Sequence, residues 1–214
     1  MHLARRAWCR TYQTVFRIAL PILPYTEPRI LEHAEDVPAV FQKRSIQQVL
    51  IVTDPGIARL GLTAPLERAL ASKGIGVTVY AETRANPTVS NVEEAAALYR
   101  ENDCQAIIGF GGGSAMDCAK GVGARIAQPN KPINKMRGLL RVHRLLPLLI
   151  AVPTTAGTGS EVTLAAVITD DETHYKYPIN DFVLIPRFAV HDPEFTRGLP
   201  ASITGQTGMD ALTH

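Results

Sequence analysis

Residues 106 to 121 read Ala-Ile-Ile-Gly-Phe-Gly-Gly-Gly-Ser-Ala-Met-Asp-Cys-Ala-Lys-Gly, an apolar run that passes through glycines into a helical pattern. A short apolar run with no polar interruption is what a strand buried on both faces looks like, and such strands belong to parallel sheets. The same alternation recurs on either side. Upstream, Gln48 to Thr53 is a β-branched and apolar run stopped by the turn chemistry of Asp54-Pro55-Gly56. A helical pattern through Leu60, Leu66 and Leu70 closes at Lys73-Gly74, Val77 to Tyr80 gives a second strand, and Asn91 to Asn102 a second helix. Ala106 to Phe110 is then the third strand and Ser114 to Ile126 its helix. Leu148 to Val152, Leu164 to Thr169 and Phe188 to His191 continue the strands, and from Ser202 the pattern is helical again. Strands alternating with helices of this length predict βαβ units, hence an α/β fold with a Rossmann-like, mostly parallel sheet flanked by helices. The basic, proline-bounded stretch from Pro129 to Pro147, with Lys131, Lys135, Arg137, Arg141 and Arg144, reads as a solvated excursion.

With 214 residues, the chain is long enough for one large domain, or for one domain and the start of another. A composition 46% hydrophobic and 20% charged is that of a soluble globular protein, and a net charge of +2 gives no reason to invoke nucleic acid. Cys9, Cys104 and Cys118 are odd in number and widely spaced, which argues against a disulfide framework and a Cys-rich metal site and fits a reducing cytoplasm. At the N-terminus Arg5, Arg6, Arg10 and Arg17 precede the first acidic residue, Glu27, while Trp8, Tyr12, Val15, Phe16 and Ala19 recur at helical spacing. Arg17, Pro21 and Pro24 interrupt this stretch, whereas a bilayer span needs about 20 apolar residues. It reads as an amphipathic arm packed on the body or on a neighbouring subunit, in preference to a membrane helix or targeting peptide.

Gly111, Gly112, Gly113 and Ser114 stand where a buried strand becomes a helix. Unpaired N–H groups and the positive dipole end meet there, and glycines let a phosphate approach the backbone. Gly109-x-Gly111-x-x-Ser114 departs from the common dinucleotide fingerprint in its last position and in following the third strand, so a tight turn without a ligand is the competing reading. Asp54 ends a strand on the edge where doubly wound sheets bind ligands. Its carboxylate suits a ribose diol and opposes a 2′-phosphate, or else it simply starts the turn before Pro55. Thr154, Thr155 and Thr158 offer hydroxyls to a ligand, or Thr158 and Glu161 form a helix capping box. Asp210 and His214, four apart, share one face if helical, a spacing that grips a metal ion or merely places a capping residue and a surface histidine.

Residues 148 to 163 read Leu-Leu-Ile-Ala-Val-Pro-Thr-Thr-Ala-Gly-Thr-Gly-Ser-Glu-Val-Thr, and residues 208 to 214 read Gly-Met-Asp-Ala-Leu-Thr-His. Together with the glycine segment, in this order, these strings resemble the iron-dependent, group III alcohol dehydrogenases, from about Val49 onward. The resemblance implies a pyrophosphate cradle in the GGGSxxDxAK pattern, with Asp117 and Lys120 as structural members, and a threonine loop lining the cofactor cleft. It implies NAD over NADP through Asp54, and places Asn86 and Lys176 around the nicotinamide and phosphates. It also makes Asp210 and His214 the first two of four metal ligands for Fe²⁺, with Zn²⁺ as the alternative. The division it implies is an arm and entry segment over 1–45, a dinucleotide-binding domain over 46–199, and the first helix of a truncated helical metal-binding domain over 200–214. The expected activity is hydride transfer between an alcohol or aldehyde and NAD, with a homodimer or higher homo-oligomer at full length. The 214-residue chain by itself is expected to be inactive, since metal sites normally need at least three protein ligands. Two rivals are a catalytically inactive nucleotide-binding module and a polyol or sugar-phosphate dehydrogenase of the wider superfamily. The complete PTTAGTGSE string speaks against the second.

Overall fold

A computed structural model describes residues 8–11, 13, 14, 17 and 25–213. Much of the expected amphipathic arm, including Tyr12, Val15, Phe16 and Ala19, lies outside the described residues, as does His214. The strands in chain order are β1 (Arg29–Leu31), β2 (Gln48–Val52), β3 (Gly76–Tyr80), β4 (Ala106–Gly111), β5 (Gly138–Leu139), β6 (Leu148–Pro153), β7 (Ala165–Thr169), β8 (Lys176–Asn180) and β9 (Phe188–Val190). The helices are α1 (Val37–Gln42), α2 (Pro55–Arg59), α3 (Ala64–Ala71), α4 (Val89–Glu101), α5 (Gly113–Ala127), α6 (Glu194–Arg197) and α7 (Ala201–Thr213).

The principal sheet is parallel throughout, in the order β1-β9-β6-β4-β2-β3. Successive side chains leave opposite faces of a strand, so each buried run feeds two cores. Val49 and Ile51 of β2 and Ile108 and Phe110 of β4 pack with Phe41 of α1 and Leu66 and Leu70 of α3. Leu50 and Val52, with Ile107, meet Val92 and Ala96 of α4 and Cys118, Ala119 and Val122 of α5 on the other face. The expected Rossmann-like α/β architecture is therefore present. It begins earlier than residue 46, however: β1 pairs with β9, and Val37, Val40 and Phe41 of α1 are core residues, so part of the expected entry segment belongs to the domain.

The run at 165–169 does form a strand, but in a second sheet of order β5-β8-β7, where β7 and β8 are antiparallel. The basic excursion is not simply solvated. It supplies β5 and a 3₁₀ turn, and Ile133, Met136 and Val142 are fully buried in the α4–α5 core. Lysines and arginines there occupy the outward positions of a segment whose apolar residues are anchored. No described helix is long and apolar enough to cross a membrane.

Candidate functional site

The chain leaves β2 for β3 on one side and comes back to β4 on the other, so the strand order reverses between β2 and β4. Side connections diverge at such a switch point and leave a crevice beyond the carboxyl ends of the strands. The register brings those ends to one edge, with Val52 opposite Gly109 and Gly111 opposite Pro153. A cleft of about 860 Å³ lies there, lined by Asp54, Gly112, Gly113, Ser114 and the three threonines Thr154, Thr155 and Thr158. The structure thus brings together seven of the ten candidate cofactor residues.

Gly111 ends β4 with φ of 145°, and an added Cβ would sit 2.9 Å from that of Ala115, so only glycine lets the strand turn into α5 here. Gly112 is the N-cap of α5 and offers no side-chain cap, which leaves the first N–H groups of the helix turned to the cleft without an internal partner. A methyl group at Gly113 would lie 3.2 Å from Ser160 Oγ and 3.3 Å from Thr158 Cγ2. The threonine loop therefore passes close over the helix start, where Thr154 N–H donates to Gly111 O at 3.0 Å. The capping-box reading of Thr158 and Glu161 fails: no helix begins there, and Thr158 Oγ1 accepts only from Ser160 N–H at 3.4 Å.

Asp54 unites its two alternative readings in two oxygens. Oδ1 accepts from the N–H groups of Gly56 and Ile57 at 2.8 and 3.0 Å and caps α2. Oδ2 makes no hydrogen bond within the described residues and points toward Gly111, 3.4 Å from where a Cβ would stand. One carboxylate oxygen organises the turn; the other is available to a ligand.

Asn86 and Lys176 do not line the cleft. Asn86, at φ 58°, donates its backbone N–H to Ser114 Oγ at 3.2 Å and thereby fixes the hydroxyl of the cradle. Exposed Lys176 is opposite Thr169, whose N–H bonds Pro87 O, two links away from that contact. Asp117 and Lys120 are structural, as expected. Lys120 is fully buried on α5, and its Nζ donates to Thr163 O, Thr163 Oγ1 and Ala165 O at 2.7, 3.0 and 2.8 Å. Asp117 Oδ2 accepts from Val167 N–H at 3.1 Å. Burial pushes the Asp117 carboxyl up to about 6 and the Lys120 ammonium down to about 8, while their mutual attraction and the hydrogen bond from Val167 restrain the shifts.

Two walls of the cleft were not foreseen. Glu82, Thr83, Arg84 and Ala85 follow β3 and reach the site because β3 pairs with β2. Thr83 Oγ1 is buried and has only the weakly bonding Cys118 thiol beside it, an under-used hydroxyl of the kind a ligand satisfies. Across from them stand Leu199, Pro200, Ile203 and Thr207. Along α7, Ile203, Thr207 and Asp210 are half-buried between exposed neighbours, so Asp210 lies on the cleft-facing stripe. Among the described residues no three His, Cys, Asp or Glu side chains gather to hold a metal ion. One carboxylate does not by itself define a metal centre.

Residues 30–193 match the family model of the iron-containing alcohol dehydrogenases. Alcohol dehydrogenase 4 of Schizosaccharomyces pombe is 42% identical over 168 residues, 78% of this chain and 40% of the relative. Among solved structures, a 1,3-propanediol oxidoreductase superposes with a TM-score of 0.83 at 34% identity, over 89% of this chain and 50% of its own. A sulfoacetaldehyde reductase from Bifidobacterium kashiwanohense, solved in complex with NAD+, gives 0.76 at 32% identity, over 87% and 50%. The chain spans about half the length of these proteins, or less.

Proposed function

Because this chain belongs to the iron-containing alcohol dehydrogenase family, we propose that its cleft binds NAD and that the whole protein transfers hydride between a small alcohol or aldehyde and the nicotinamide ring. The observation that carries the reading is the pairing, across the β2/β4 switch point, of a side-chain-free helix start with the uncommitted Oδ2 of Asp54. The N–H groups at the start of α5 bind a pyrophosphate, and Gly112 and Gly113 let it come close. Asp54 Oδ2 accepts a ribose hydroxyl and repels a 2′-phosphate, which favours NAD over NADP. Thr154, Thr155 and Thr158 hydrogen-bond the cofactor from the opposite side, with Asn86 holding Ser114 in place and Lys176 near the phosphates. Hydride chemistry belongs to the cofactor; these residues bind it, orient it and keep water from it.

Asp210 and His214 are the residues of this chain we assign to the metal, Fe²⁺ by the family's name and Zn²⁺ as the alternative, with residues from 200 onward opening a helical unit. A metal held there would supply Lewis-acid chemistry toward an alcohol oxygen. Buried, unpaired Cys104 and Cys118 support a reducing, cytoplasmic setting, and a homo-oligomer at full length remains part of the reading. Calorimetry of this chain with NADH and NADPH, alongside assays of alcohol-dependent NADH formation by the whole protein, tests it. Tighter binding of NADH is expected, and binding without turnover would identify a nucleotide-binding module. Absence of NADH binding, or preference for NADPH, overturns the cofactor reading.

A further inference from the structure

The threonine loop contains two glycines with positive φ, Gly157 at 150° and Gly159 at 60°, and their surroundings differ. Around Gly159 there is space: an added Cβ finds only Val162 Cγ2, at 3.9 Å. At Gly157 the same methyl group would overlap the carbonyl oxygen of Thr207 and stand 3.0 Å from its carbonyl carbon and 3.4 Å from its Cα. The backbone of α7 is thus seated directly on the backbone of the loop, at a point where no side chain other than hydrogen fits. A backbone carbonyl cannot rotate away as the end of a long side chain can, so a larger residue must displace the helix or the loop.

Other contacts make this seat consequential. The loop's far end is fastened by Lys120, and its near end by the bond from Thr154 N–H to Gly111 O, so it has little freedom to yield. Thr207 lines the cleft together with Thr155 and Thr158, and Asp210 follows on the same stripe of α7. We infer that Gly157 is a positioning residue: it seats α7 against the threonine loop, so that the width of the cleft and the placement of the Asp210 face are set by one backbone contact. A nucleotide held by the loop then acts on α7 through Gly157, and α7 acts on nucleotide affinity through the same point. The coupling half of this statement rests on the NAD reading; the seat itself does not.

Hydrogen exchange separates the two, using the protein as it stands with Gly157→Ala, and Gly159→Ala and Gly138→Ala as controls. Gly138 has φ of 104° and nothing within 4 Å of an added Cβ, so it reports the cost of a positive φ alone. Without nucleotide, Gly157→Ala is expected to speed exchange across residues 203–210 roughly tenfold or more, while neither control changes that segment. With NADH, the wild type is expected to gain protection in the loop and in α7 together; Gly157→Ala is expected to keep protection at the glycine cradle, lose it in α7, and bind NADH roughly tenfold more weakly. Unchanged α7 exchange in Gly157→Ala, or equal loss in Gly159→Ala, overturns the seat. A wild type that takes up no NADH overturns the cofactor reading, and the nucleotide-free comparison still decides the seat.

Discussion

Helix α5 serves two regions built in opposite ways. At its start, glycines and short hydroxylated residues leave backbone N–H groups without internal partners and the surface free of bulk. One and two turns later, Asp117 and Lys120 do the reverse: charged side chains are buried so that the small sheet's backbone has partners. The first region keeps hydrogen-bonding capacity in reserve; the second spends it internally. The difference separates residues whose loss should damage binding from those whose loss should damage folding, although the motif GGGSxxDxAK runs them together.

The largest effect is expected at the anchor. Lys120→Met removes three charge-assisted hydrogen bonds and leaves the carbonyls of Thr163 and Ala165 without a donor, which should cost about 3–5 kcal/mol. Denaturant unfolding measures it, and a loss under about 1 kcal/mol would show that the anchor carries little of the fold's stability. At the cradle the reverse is expected. Gly112 has φ of −80°, so Gly112→Val fits the backbone and should cost less in unfolding than the anchor does, although an added Cβ already meets Thr155 Oγ1 at 3.4 Å and the valine branches crowd the helix start. NADH and NADPH should both weaken by roughly a hundredfold, about 2.7 kcal/mol. Unaltered binding would mean that the glycines serve only the turn.

The same contrast explains what could be read from sequence. β2 after Gln48, β4 and β6 are apolar because both faces are covered, and the glycine and threonine loops directly follow β4 and β6, so sheet and cradle are legible together. β1 is three residues long with Ile30 half-exposed, and only its pairing with β9 makes it a strand. β8 carries Pro178 within it and alternates buried and exposed positions, a weak signal that only the pairing with β7 resolves. Glu82 to Ala85 and the α7 wall carry no motif at all. They become part of the cleft through the β2–β3 pairing and the seat at Gly157, contacts that span long stretches of sequence.

Asp54 sits between the two regions, since one of its oxygens works as an anchor and the other is in reserve. Asp54→Gly should cost only a few tenths of a kcal/mol in stability, because glycine is itself tolerated at an N-cap. The ratio of NADPH to NADH affinity should nevertheless rise roughly tenfold, as the charge opposing a 2′-phosphate disappears. Calorimetry with both nucleotides measures the ratio, and a constant ratio would reduce Asp54 to its capping role.

A pH dependence is confined to the anchor. Burial raises the Asp117 carboxyl to about 6, so through the interval from about 4 to 6 the folded chain holds a proton that the unfolded chain has released. The contribution of this group to stability is therefore fully present below about 4 and declines as pH rises through 6. Lys120, pushed down to about 8, acts at the other end: its contribution is present above about 10.4 and is lost as pH falls through 8. Between 6 and 8 both groups are charged, and their attraction partly offsets the cost of burying them. Asp117→Asn removes the acid limb and leaves the alkaline one, so the melting temperature of wild type minus variant should fall between pH 4 and 6.5 and then level off. Parallel melting profiles across that range would mean that Asp117 titrates alike in the folded and unfolded chain, and that the anchor rests on Lys120 alone.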